Sequence, residues 1–171
     1  VKKDDHAAMR THPDFKADYQ VPPNKFDQNE IVRKGCSLLQ FAAFYGATTC
    51  FQYLSRTEKI DQSVCEAAVA GGNLEIIKIV SENGIDVSCS LMIAAEYRQY
   101  DFMKEYITPE ICSTEEMKPV VDEVLEQCMF TNNVGVLIFL YNIGIMHGKI
   151  NKLLIDCAAD DSYLESFKVL A

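Results

Sequence analysis

Residues 71–86 read GGNLEIIKIVSENGID. Apolar side chains fall at Leu74, Ile76, Ile77, Ile79 and Val80, a stripe too wide for a helix resting on one neighbour, so the pattern predicts a helix covered on both flanks. Asn73 is suited to cap its start and Gly84 to close its end. Gly71 and Gly72 fit a chain that reverses sharply just before it.

The stretch recurs. A shift of 26 backwards lays Gly46, Cys50, Phe51 and Leu54 on Gly72, Ile76, Ile77 and Val80. The same shift forwards lays Phe102, Met103 and Lys104 on Ile76, Ile77 and Lys78. A shift of 60 brings Val134, Val136, Leu137, Leu140 and Gly144 into register, and one of 90 brings Leu164, Glu165, Phe167, Lys168, Val169 and Leu170. Repetition at this period is the mark of stacked helical units.

Each copy pairs a thin helix with a more apolar one. The thin helices are expected at Leu39–Phe44, Cys65–Ala70, Leu91–Glu96, Leu125–Phe130 and Leu153–Ala159, and the apolar ones at Thr48–Leu54, Leu74–Ser81, Asp101–Ile107, Val134–Tyr141 and Leu164–Leu170. Alanine pairs (Ala42-Ala43, Ala67-Ala68, Ala94-Ala95, Ala158-Ala159) let neighbouring units approach closely. One such hairpin cannot bury its apolar faces, whereas a row of them can. The expected fold is an all-α solenoid. Gly46 and Gly72 suit the left-handed residue of the reversal, Asn132 tolerates it, and Arg98 predicts a distorted third turn. Ser162 and Glu165 stand at capping-box spacing in the last copy.

SLLQFAAFYG, residues 37–46, resembles the ankyrin signature TPLHxAAxxG, and residues 73–86 resemble its second half. SVCEAAVAGG, CSLMIAAEYR, EVLEQCMFTN and LLIDCAADDS follow it more loosely. The chain is thus similar to the divergent ankyrin repeats of some protozoa. Leu38, Val64 and Ser90 stand where that signature has proline, and Gln40, Glu66 and Met92 where it has histidine. Successive shifts of 26, 26, 34 and 30, against about 33 in ankyrins, imply shortened or missing β-hairpin fingers. The resemblance divides the chain into 37–62, 63–88, 89–118, 119–148 and 149–171, after a segment 1–36 that is irregular or a partial repeat.

Within 1–36, KKDDHAAMR fits the second helix of a broken repeat, with an extended stretch from Pro13 to Leu38. In TPEICSTEEMKP, Ser113 and Glu116 have capping-box spacing for a longer helix that Pro119 bends or begins.

The length of 171 residues and the 49% apolar content suit a single globular domain. No apolar run reaches about 18 residues and the first residues lack a signal peptide's apolar core. Seven cysteines, an odd number without a Cys-x-x-Cys pair, read as reduced core residues rather than a disulfide frame or zinc site. These features predict a soluble, cytoplasmic protein. The chain starts without Met and stops at Ala171 within a helical pattern, as a piece of a longer protein would. Residues 36–171 hold nineteen acids against nine bases, which disfavours nucleic acid and favours a basic partner.

Signals for chemistry are weak. His6, His12 and His147 accompany no nucleophile turn. Gly71-Gly72 opens a helix without a Lys or Arg in its first turn, and Asp160-Asp161 point in different directions on a helix. The expectation is no enzyme, no cofactor and no metal. The ankyrin resemblance implies a concave binding groove formed by the residues after each alanine pair: Phe44 and Tyr45, Ala70 and Gly71, Glu96 and Tyr97, Phe130 and Thr131, Asp160 and Asp161. This predicts a protein-interaction module for a basic protein or peptide. The alternative is a structural spacer in a larger protein whose activity lies elsewhere. The last copy has no polar closing helix, which predicts further repeats or cover of Phe167 and Leu170 by another chain.

Overall fold

The computed structural model describes residues 1–27, 29–131 and 133–146, without the Phe130 side chain. Their regular secondary structure is helical apart from one two-stranded ribbon, an all-α architecture. They form two compact units, Val1–Val87 and Ser88–Ala171, where length alone suggests one domain.

In the first unit, α1 (His6–Thr11) is followed by β1 (Gln20–Val21), α2 (Glu30–Lys34) and β2 (Cys36–Ser37). The strands pair antiparallel, Gln20 with Ser37 and Val21 with Cys36. Two hairpins follow: α3 (Leu38–Phe44) with α4 (Thr48–Leu54), and α5 (Gln62–Gly71) with α6 (Leu74–Glu82). Thin helix packs on thin helix, α3 on α5, and apolar helix on apolar helix, α4 on α6. Ala42, Ala43, Ala67 and Ala68 have no solvent exposure at all. Their missing bulk lets the axes close up, and Phe51, Leu54, Ile76 and Ile77 fill the space beneath. Helix α1 packs on the far flank of α4, so α4 is covered on both sides as its stripe requires.

The second unit opens from a 3₁₀ turn, Val87–Ser90, into α7 (Leu91–Glu96), α8 (Tyr100–Tyr106), α9 (Pro109–Cys112), α10 (Met117–Phe130) and α11 (Val134–Asn142). α7 packs on α10 through buried Ala94 and Ala95. No described helix is long and apolar enough to cross a membrane.

The hairpin turns are built alike. In the first, the Gly46 amide donates to the Ala43 carbonyl and the Ala47 amide to that of Ala42, a Schellman closure with Gly46 left-handed at φ 65°. Arg98 takes the same place at φ 57°, with matching bonds from Arg98 to Ala95 and from Gln99 to Ala94. The third turn is therefore regular rather than distorted, and the arginine carries the strain.

Two caps differ from expectation. Ser113 does not pair with Glu116: as the C-cap of α9, it donates its hydroxyl back to the carbonyl of Pro109 in that helix's first turn, and Thr114 Oγ1 accepts from the Met117 amide instead. Pro119 falls in the first turn of α10, where no partner for its amide is needed. At the start of α3, Gln40 completes a full capping box, its Oε1 accepting from the Ser37 amide and Ser37 Oγ from the Gln40 amide. Leu153–Ala159, Leu164–Leu170, Ser162, Phe167 and the left-handed role of Asn132 lie outside the described residues.

Candidate binding surface

Helix α3 ends by placing Phe44 and Tyr45 half-exposed beside its turn. The Tyr45 ring lies 4.6 Å from that of Phe41 and meets Phe44 edge-on at 5.1 Å. Over this cluster sits an ammonium: Lys2 Nζ is 4.0 Å from the Tyr45 ring centroid and 5.6 Å from that of Phe41. The ring faces supply the negative end of the aromatic quadrupole to that cation.

The next pair, Ala70 and Gly71, is closed. Ala70 is buried, and a Cβ on Gly71 would collide with the carbonyl oxygens of Phe44 and Ala43. Helix α5 thus runs against the end of α3, and these two positions offer no open groove.

In the second unit, Glu96 ends α7 exposed and Tyr97 follows half-exposed. Glu96 and Thr131 line one small cleft of about 60 Å³ with Arg98, Gln127 and Asn133. Thr131 donates its hydroxyl to the Gln127 carbonyl at 2.8 Å. Phe130 ends α10, but its side chain lies outside the described part, as do Asp160, Asp161 and His147. The structure therefore groups Phe44 with Tyr45 in one unit, and Glu96 with Thr131 in the other.

Titratable groups elsewhere have structural surroundings. Cys36, Cys50, Cys65, Cys112 and Cys128 are buried, while Cys89 is exposed. Burial pushes the Cys128 thiol up to about 12, and burial likewise raises Cys36 and Cys50, which leaves little thiolate at neutral pH. His12 Nδ1 accepts from the Asp14 amide at 3.3 Å, and the His6 ring lies 6.4 Å from that of Tyr53. Among the described residues no group of three or more His, Cys, Asp and Glu could hold a metal ion.

Residue-pattern reasoning missed two contributors from the chain's first residues. Lys2 covers Tyr45, and Asp4 caps α4: its carboxylate accepts from the amides of Thr49 at 3.1 Å and Cys50 at 2.9 Å. Neither contact has a local signal, because its partners are far apart in sequence.

Compared with protein-family models, with curated proteins and with solved structures, the chain matches none.

Proposed function

We propose that the chain is a non-catalytic binding module whose hairpins are ankyrin-type repeats with shortened fingers, and that it holds a basic protein or peptide. Phe44 and Tyr45 form its contact surface in the first unit; Glu96, Tyr97 and Thr131 form one in the second. The carrying observation is the Lys2 ammonium over the Tyr45 ring: that ring face accepts a cation, and a partner's Lys or Arg would meet the same quadrupole. Glu96, exposed beside its turn, adds charge that speeds the approach of a basic partner and rejects an acidic one. Buried cysteines suit work in the reducing cytoplasm.

The test is capture from a cell lysate with the wild-type protein and with Tyr45→Ala/Tyr97→Ala as baits, compared by mass spectrometry. A basic partner lost with the double variant, at unchanged circular dichroism, supports the reading. A partner retained at full level removes both tyrosines from the interface. Lys2→Ala, which uncovers the Tyr45 ring, should strengthen capture.

A further inference from the structure

The first unit carries a groove of about 920 Å³, far larger than the cleft beside Glu96 and lined by α1, the segment after it, β1 and α3. Its volume falls in the roughly 300–1,000 Å³ range of small-molecule sites. Met9, Phe15, Val21, Leu38 and Phe41 give it apolar walls. Three lysines, Lys2, Lys3 and Lys16, also line it. Lys2 is engaged over Tyr45, whereas Lys3 and Lys16 are exposed and make no ion pair among the described residues. Two acids also line the groove. Asp5 turns its carboxylate to the Ala8 amide at 2.8 Å, capping α1, which leaves Asp14 as the acid set against the lysines. His12 adds a ring whose Nδ1 already accepts from the Asp14 amide.

We infer that this groove binds a medium-chain free carboxylate, the hydrocarbon against Phe15, Leu38 and Phe41 and the carboxylate drawn to Lys3 and Lys16. Apolar walls alone would take any hydrocarbon, and lysines alone any anion. Their adjacency selects a molecule that has both parts. A free inorganic anion gains nothing from the walls, and a cationic amphiphile meets like charge from the lysines. The groove adjoins the partner surface proposed above, since Lys2 lines it and also covers the Tyr45 ring, but its charge preference is opposite, and decanoate binding is read without any protein partner, so a failure of one reading is distinguishable from a failure of the other.

The experiment is a titration of the 171-residue protein with decanoate, below the concentration at which decanoate self-associates, followed by calorimetry and methyl NMR. Saturable single-site binding is expected, with shifts at the Met9 methyl and in Val21 and Leu38. Decyltrimethylammonium, with the same chain and opposite charge, should bind at least about tenfold more weakly. Lys3→Glu/Lys16→Glu, both at exposed positions, should weaken decanoate by about tenfold and reverse the preference. Non-saturable uptake, a footprint elsewhere, equal binding of the two amphiphiles, or unchanged affinity in a folded double variant would each overturn the assignment. The amphiphile comparison uses wild-type protein, so it decides even if the double variant unfolds.

Discussion

Asn73 reaches back one hairpin: its Nδ2 donates to the Gly46 carbonyl at 3.2 Å while its Oδ1 accepts from the amides of Glu75 and Ile76. One side chain thus caps its own helix and ties it to the turn before. Asn133, in register with Asn73 at the shift of 60, ties in the same direction, its Nδ2 donating to the Ala95 carbonyl at 2.7 Å and its Oδ1 accepting from the Tyr100 hydroxyl. Asn73 is half-buried and Asn133 fully buried.

Replacing these residues should therefore cost different amounts. Asn73→Ala loses a cap and a half-exposed tie, about 1–2 kcal/mol. Asn133→Ala leaves a buried carbonyl and a phenol hydroxyl short of partners, about 2–3 kcal/mol. Asn73→Asp keeps the cap acceptor but loses the donor to Gly46, so its urea midpoint should lie below wild type despite an intact helix start.

Gly71 and Gly135 are both blocked, by different neighbours. A Cβ on Gly71 meets backbone carbonyl oxygens, and one on Gly135 meets the Tyr100 phenol. Backbone cannot move without parting α5 from α3, whereas a side chain can swing. Gly71→Ala should destabilise by about 1–3 kcal/mol. Gly135→Ala should cost less, because the Tyr100 side chain can swing aside where the backbone at Gly71 cannot, with the Tyr100 side-chain resonances shifting in NMR.

Arg98 holds a left-handed conformation that costs a side-chain-bearing residue about 1–2 kcal/mol. Arg98→Gly relieves that strain but loosens the unfolded chain by about 0.4–1 kcal/mol. A net gain of about 0.5–1 kcal/mol should appear in chemical denaturation.

Asp4 works as a cap supplied from a distant part of the chain. α4 begins after Ala47, whose methyl cannot cap, and Thr49 Oγ1 adds a 2.8 Å bond to the Asp4 carboxylate. Burial opposes the charged form, but the Cys50 and Thr49 donors outweigh it and hold the carboxyl below its usual range. The charged form is thus bound more tightly in the folded state. Asp4→Ala should cost about 1 kcal/mol at pH 7. The wild-type advantage over Asp4→Ala should be full above about pH 4 and fade as pH falls further, as thermal melts at stepped pH will read.

Glu58 carries the opposite sign. Its Oε1 is buried without a hydrogen-bond partner among the described residues. Burial chiefly, aided by the Asp18 charge and opposed by the Ser37 hydrogen bond, raises its carboxyl above the usual range. Folding therefore favours the neutral acid, and at neutral pH the charge is a burden. Glu58→Gln should raise the melting midpoint by about 1–3 °C at pH 7. The difference should shrink as pH drops through the raised value and vanish below about pH 4.

The ends of the helical hairpins were legible because they rest on short-range chemistry. Thr48–Leu54 and Leu91–Glu96 fold over the spans their apolar spacing indicates, and α6 and α11 each run one residue further, to Glu82 and Asn142. α10 starts two turns before Leu125, in line with the longer helix that the stretch 113–119 predicts, and Met117, Val121 and Val124 give those turns a buried face. Of the surface residues, Phe44, Tyr45, Glu96, Tyr97 and Thr131 were placed beside turns by repeat register alone, whereas Ala70 and Gly71 follow the same register and are closed off by a neighbouring helix.

The sequence by itself determined where the helical hairpins fall and which of their faces are apolar, though not every helix start, since helical period, capping side chains and small residues act over a few positions. Only the tertiary structure decided which residues from the first part of the chain meet the hairpins: Lys2 over Tyr45, Asp4 at the start of α4, and the groove closed by Val21 and Phe41. It also divided the chain into two compact units. Such contacts arise when packing brings distant segments together, and a cation over a ring or a carboxylate on two amides leaves no spacing in the sequence to be read.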